Sequence, residues 1–257
     1  MKAVLTVLGS GTSMGVPTIG CRCQVCTSAD PHDRRTRPSI MLEYGERCVL
    51  IDTSPDFREQ ALREHIRRLD AVVYTHGHAD HVLGLDDVRP LSFRNAEKIP
   101  LYAFPPTAEA LKKIFRYIFD ADYKYGGIAR VQIQPIHGTL ELFGANFEPI
   151  RVMHGDAEIH GFRFGSAAYL TDFSEIPVES MGRLHGLDIL FLDALRRNPH
   201  PTHSTVSNSL RLVEELKPKR AFFTHISHDL AHEETNRGLP SHVRLAHDGL
   251  RLEFEIA

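Results

Sequence analysis

The sequence predicts a layered α/β fold, and three observations lead there. Short apolar runs bounded by Gly, Pro and Asp recur along the 257 residues, as sheet-core strands do. Amphipathic helical patterns fall between them. Strands come early and late with the helices interposed, which suits layers stacked on a common core. At 42% hydrophobic and 25% charged residues, the chain has ordinary globular composition and enough apolar side chains for a sizeable core. No repeat, low-complexity stretch or linker divides it, so residues 1–257 read as one domain.

In chain order, strands are expected at residues 4–8, 40–44, 48–51, 71–75, 99–104, 131–136, 147–152, 167–170, 188–192, 221–224 and 250–254. A helix is expected over 55–65, after a Ser-Pro start. A second, over 107–118, opens with a cap-type Thr107 and carries Ala110, Leu111, Ile114, Phe115 and Ile118 on one face. A third, over 204–216, opens with Ser204 and Thr205 and aligns Val206, Leu210, Val213 and Leu216. Residues 242–254 read as a β-hairpin turning at Asp248-Gly249.

Charge and hydropathy exclude several function classes. The formal net charge is -3 with no basic stripe, so general nucleic-acid binding is not expected. A single phosphate-bearing substrate remains compatible, because metal ions can supply positive charge. No apolar run approaches the roughly 18 residues that a membrane span needs. Met1-Lys2-Ala3-Val4-Leu5 enters a strand with no cleavage pattern. The expected location is cytoplasmic, without membrane attachment. There, Cys21, Cys23 and Cys26, three of four cysteines, point to metal rather than disulfide. Cys48 lies inside an expected strand and reads as core.

The strongest chemical signal is His76-Gly-His-Ala-Asp-His81, directly after the strand at 71–75. His76 and His78, two apart in extended backbone, point the same way and can share an ion. Asp80 and His81 start the next turn and face a second ion. Imidazole and carboxylate suit zinc, manganese and iron. Strand ends recur as ligand positions: His154 closes the run 149–153, Asp172 the run 167–171, and His225 the run 221–224.

With these residues and Gly9-Ser-Gly-Thr-Ser-Met-Gly-Val-Pro17, the chain resembles the metallo-β-lactamase superfamily over nearly its whole length. The resemblance implies a four-layer αββα sandwich with its metals at one sheet edge. It implies that His76, His78 and His154 hold one ion, that Asp80, His81 and His225 hold another, and that Asp172 bridges them. True β-lactamases depart at the positions of His81 and Asp172, whereas phosphodiesterase-like and glyoxalase II-like branches keep both. Antibiotic hydrolysis is therefore not expected. Two divalent ions (Zn or Mn) about 3.5–4 Å apart would share a bridging hydroxide as nucleophile, with Asp80 also orienting it.

A leaving alkoxide needs a proton. The segment from Asp193 to His203 resembles the region of transfer-RNA 3′-processing nucleases and cyclic phosphodiesterases that supplies a general acid. That match gives His203 as the acid and Asp193 as its orienting partner, which should raise the imidazole's pKa. His200 is a nearby rival. Three clustered thiolates need a fourth ligand to complete a structural zinc site. The resemblance to the phosphoribosyl cyclic phosphodiesterases of the phosphonate (C–P lyase) pathway implies His228, in Thr224-His-Ile-Ser-His228.

The expected activity is thus dinuclear metal-dependent hydrolysis of a small phosphodiester, with cyclic and nucleotide-like compounds as the candidate classes. A homodimer is implied by the resemblance alone. Rival readings are a transfer-RNA 3′-endonuclease, a glyoxalase II-like thioesterase, and a non-hydrolytic protein similar to one in pyrroloquinoline quinone biosynthesis. The first should carry a basic Gly/Pro-rich arm, the second a C-terminal helical region, and the third a degraded histidine motif. None of these is found. The aromatic stretch Tyr123-Lys124-Tyr125 reads as an insertion near the mouth, suited to loop packing or to contact with a base or sugar.

Overall fold

The computed structural model describes residues 1–123 and 126–256. One sheet holds β1 (Lys2–Gly9), β2 (Ser39–Tyr44), β3 (Arg47–Ile51), β4 (Ala71–Val73), β5 (Ile99–Ala103) and β6 (Val131–Pro135), with β14 (Arg251–Glu255) at the far edge beside β1. The other runs from β7 (Leu140–Leu142) through β8 (Ala145–His154), β9 (Ala157–Phe164), β10 (Ala167–Leu170), β11 (Ile189–Asp193) and β12 (Arg220–Thr224) to β13 (Val243–Leu245). Each sheet is antiparallel in one half and parallel in the other. β3 to β6 run parallel in the first sheet, and β10 to β13 in the second.

The layering follows from the strand sequences. In β3, Val49 and Ile51 face the other sheet, while Cys48 and Leu50 face outward and are also buried. In β11, Ile189 and Phe191 point into the intersheet core, and Leu190 and Leu192 pack outward. Strands covered on both faces must be apolar throughout, which is why they read as continuous apolar runs. The outer faces are covered by α1 (Phe57–Arg63) and α3 (Pro105–Ile114) on one side and α4 (Val206–Leu216) on the other. The result is the αββα sandwich. Among the described residues, no helix is long and apolar enough to cross a membrane.

α4 begins as expected: Thr205 is its cap, its side chain accepting from Asn208 N, and Val206, Leu212, Val213 and Leu216 are buried. α3 does not. It starts at Pro105, whose fixed φ suits a first turn, so Thr107 sits inside the helix rather than capping it. Residues 242–254 form no hairpin. β13 joins β12 in one sheet and β14 joins β1 in the other, so the Asp248-Gly249 turn crosses between sheets. The Asp248 carboxylate fixes that crossing by accepting from Ser10 N and Thr36 N, both at 2.9 Å. The strands β7 and β9 lie outside the expected runs, and β13 falls in the arm of the expected hairpin but joins the other sheet. β7 and β13 have three residues each, and β9 (AEIHGFRF) is interrupted by polar residues.

Candidate metal centre

Parallel strands end at the same sheet edge, and the site is built there. His76 follows β4, Asp172 follows β10 and His225 follows β12, while His154 and Asp193 are the last residues of β8 and β11. Asp172 and His225 turn sharply off their strands with φ of 57° each, in the left-handed region that side chains rarely adopt. Asp80 and His81 lie on the short helix α2 (Ala79–Val82), which starts directly after His78.

Two donor groups form where the resemblance placed them. In one, His76, His78 and His154 bring a nitrogen each within 4.8 Å of the others. The His76 Nε2 to His78 Nδ1 distance of 3.0 Å is near the ~3.3 Å edge of a tetrahedron with ~2.0 Å metal–nitrogen bonds. In the other, Asp80, His81, Asp172 and His225 are all buried and mutually within 4.8 Å. Asp172 touches both groups. Its Oδ1 lies 3.2 Å from His81 Nε2, and its Oδ2 lies 3.2 Å from His225 Nε2 and 4.0 Å from His76 Nε2.

Hydrogen bonds assign the tautomers. His154 Nδ1–H donates to Thr202 O (2.8 Å) and His81 Nδ1–H to Asp52 Oδ2 (2.7 Å). His76 Nδ1–H donates to Thr75 Oγ1 (3.0 Å), which donates to Asp52 Oδ2 (2.8 Å). Each ring therefore presents Nε2 inward, the arrangement that outer partners impose on metal-binding histidines. His81 Nε2 is buried and makes no hydrogen bond. An orphaned imidazole nitrogen among carboxylates fits a divalent ion.

Asp52 is the residue that sequence reasoning missed. It is fully buried, sits at φ 65° just beyond β3, and orients His81 and Thr75 together. The signal was present: it ends the run 48–51 as Asp172 ends its own. Its loop is clamped to α2 by Thr53 N–H donating to His81 O (2.8 Å) and Gly84 N–H to Thr53 O (3.0 Å). A Cβ at Gly84 would sit 2.0 Å from Ser54 O, so only glycine allows this approach.

Electrostatics separate the two groups. Burial lowers His76, His78 and His154, leaving neutral imidazoles ready to ligate. Burial would also lower His225 and His81, but Asp172 and the other carboxylates outweigh it, raising His225 from 6.5 to about 9 and His81 well above its usual value. Against burial, His81 and His225 hold Asp80 below the ordinary carboxylate range. In the metal-free chain the protonated His225 stabilises the fold fully below pH 6.5, a contribution lost as pH rises through about 9. Ligation needs the neutral ring, so Zn²⁺ uptake at pH 7 is expected to release protons, and apparent affinity to rise with pH toward about 9. Calorimetry in buffers of different ionisation enthalpy measures this; heats that do not vary with the buffer would contradict it.

Beside the second group, His203 Nδ1–H donates to Asp193 Oδ2 at 2.7 Å, and its ring stacks on His225 at 4.7 Å. The sequence expectation that Asp193 raises His203 needs correction. Burial and the facing His225 outweigh the Asp172 and Asp80 carboxylates and bring the imidazole down to about 4, while burial pushes Asp193 up. His200 is 5.0 Å away ring to ring, but its Nδ1 accepts from Thr202 N rather than meeting an acid. A cleft of about 210 Å³ opens beside these residues, lined by Thr12, Ser13, Arg196, His200, His203 and Asp229.

Cys21, Cys23, Cys26 and His228 gather as a third group. Their sulfurs lie 3.3, 3.6 and 3.3 Å from His228 Nδ1, matching the ~3.6 Å edge expected from ~2.3 Å Zn–S and ~2.0 Å Zn–N bonds. Cys26 N–H, donating to Cys23 Sγ, lowers that thiol to about 7, whereas burial raises Cys26 to about 11. The fully buried Arg35 ties the loop behind His228 to the N-terminal loop, donating to Ser227 O (2.9 Å), Leu230 O (2.7 Å) and Asp33 Oδ1 (2.8 Å). Cys48 is core, as expected. Tyr123 is exposed, while Lys124 and Tyr125 lie outside the described residues.

Comparison with known proteins decides the family. The family described as "Beta-lactamase superfamily domain" matches residues 47–226. A solved structure described as a new diphosphatase from the PhnP family is 63% identical, covers 100% of this chain and 98% of its own, and superposes with a TM-score of 0.95. The chain belongs to the β-lactamase superfamily, in its PhnP family. Zn(2+)-bound PqqB from Methylobacterium extorquens is 23% identical over 97% of this chain and 99% of its own, with TM-score 0.77, and so shares the fold. A protein named octanoyltransferase from Porphyromonas gingivalis is 38% identical over 97% of this chain. This PhnP-family chain spans about half of that relative's length (51%).

Proposed function

We propose that this chain is a dinuclear metal-dependent phosphodiesterase acting on a small substrate. The carrying observation is Asp172, whose two oxygens reach into both donor groups while the His203–Asp193 pair stands alongside. His76, His78 and His154 would hold one divalent ion, Asp80, His81 and His225 the other, with Asp172 between them. Cys21, Cys23, Cys26 and His228 would hold a structural zinc. When bound, the two catalytic ions supply an activated water nucleophile and offset charge developing on the phosphoryl oxygens.

The chain's own residues do the rest. Asp52 and Thr202 O keep the ligand rings aimed. Asp80, ionised, accepts a hydrogen bond and orients the attacking water. His203 Nε2 is free to hold the proton that the leaving oxygen needs. Burial holds down that ring's proton affinity, and an anionic phosphate arriving beside it replaces the lost solvation with negative charge and raises it.

The 63% identical relative is described as a diphosphatase, which favours a second substrate class, a diphosphate bridge between two organic groups. There each phosphorus also carries two bridging oxygens, so the same nucleophile serves. The leaving group is then a phosphate rather than an alkoxide, and needs no general acid. A panel of cyclic phosphates, nucleotide diesters, dinucleoside diphosphates, short RNAs and thioesters, assayed with Mn²⁺- or Zn²⁺-loaded protein, tests the reading. Turnover of the small phosphate compounds is expected. Turnover of thioesters or RNA alone would overturn it, and acyl transfer would point instead to the activity named for the longer Porphyromonas relative.

A further inference from the structure

A second cluster of imidazoles lies away from the three groups above. His32 comes from the short 3-10 turn Pro31–Asp33, His232 and Glu233 open α5 (His232–Arg237), and His247 follows β13. The His32 ring sits 4.6 Å from that of His232 and 4.2 Å from that of His247. One donor atom from each of His32, His232 and Glu233 lies within 4.8 Å of the other two. His232 is 4% exposed, and its Nδ1 is buried with no hydrogen-bond partner. A buried imidazole nitrogen left unpaired beside a second imidazole and a carboxylate calls for an electrophile.

We propose that His32, His232 and Glu233 form a further divalent-cation site, for an ion that takes imidazole and carboxylate together, such as Zn²⁺, Co²⁺ or Ni²⁺. The electrostatics agree. Burial and the neighbouring His32 and Arg35 bring His232 down to about 4, so its lone pair is free at neutral pH. Asp30 Oδ1, 3.7 Å from His32 Nδ1, adds negative charge. The one buried cation nearby, Arg35, is paired with Asp33 at 2.8 Å. Packing fixes the donors: His232 N–H donates to Asp33 Oδ1 (2.9 Å), and His247, its Nδ1 held 3.2 Å from Asp248 O, supports the His32 ring. The His32 side chain is 40% exposed, so an ion enters from solvent and water completes its shell. Such an ion would join the N-terminal loop to the segment just beyond His228.

Zinc content after equilibrium dialysis at buffered free Zn²⁺, measured on the full chain and on His32→Gln, tests this. The wild type is expected to hold one equivalent more than the variant. The thiolate-to-cobalt charge-transfer band of Co²⁺-loaded protein should be equal in both, which shows that the cysteine group is intact. If His32→Gln loses its thermal transition, the exposed Glu233→Gln decides by the same measurement, with the same loss of one equivalent expected. Equal zinc content in the wild type and the folded variant at every free Zn²⁺ level would overturn the proposal.

Discussion

Replacing Asp172 by asparagine is expected to remove catalytic metal from the protein and to lower kcat by at least about a thousandfold. The residue is 2% exposed and is the only described carboxylate in contact with both donor groups. It is held ionised, against burial, by His225 and His81. An amide keeps the shape and loses the charge. Each ~1.4 kcal/mol of lost transition-state stabilisation is a factor of ten, and metal charge stabilisation is worth several kcal/mol. Elemental analysis should show less bound metal while the cysteine group keeps its zinc. The metal-free variant would also bury His81 and His225 without their main counter-charge, a change of the kind that costs about 3–5 kcal/mol. Its Tm should therefore be read beside its metal content. Full activity with full metal content in Asp172→Asn would refute the bridged arrangement.

The second large effect belongs to His203. His203→Ala should lower kcat about 10²–10⁴-fold on diesters that leave as alkoxides, the usual range for a positioned acid. It should cost far less on bis(p-nitrophenyl) phosphate or on a diphosphate, whose leaving groups depart without a proton. Asp193→Asn should follow the same pattern more weakly, because the imidazole stays in place while its Nδ1 partner, 2.7 Å away, loses its charge. Burial holds the His203 imidazole below its usual value. The pH dependence of kcat/KM for alkoxide-leaving substrates should therefore fall from the acid side upward, whereas that for p-nitrophenyl substrates should not. Equal losses on both substrate classes would remove His203 from the acid role.

The candidate metal-binding residues were legible because most of them sit at or just after a strand end. Apolar runs ending in Asp172 and His225, with His76 to His81 after another, are brought together by the parallel halves of the two sheets, and His154 joins them from β8 across the antiparallel β9. The cysteines were legible from spacing, and His228 only through resemblance. Asp52 was overlooked because a lone aspartate after a strand is common, and its role depends on His81, 29 residues later in the chain. The supposed hairpin at 242–254 failed because local turn chemistry cannot say which sheet a strand joins. That choice is made by tertiary partners, here Ser10 and Thr36 on the Asp248 carboxylate.

By itself, the sequence determined the layered architecture, since runs apolar on both faces have to be covered on both sides, and it determined which residue types were available to hold metal. The tertiary structure alone decided what those residues do to one another. Burial beside His225 turned His203 from an expected cation into a neutral imidazole, and buried carboxylates, Asp172 foremost, turned His81 and His225 into the opposite. Charge interactions depend on distance and on exclusion of water, and neither is written in residue order.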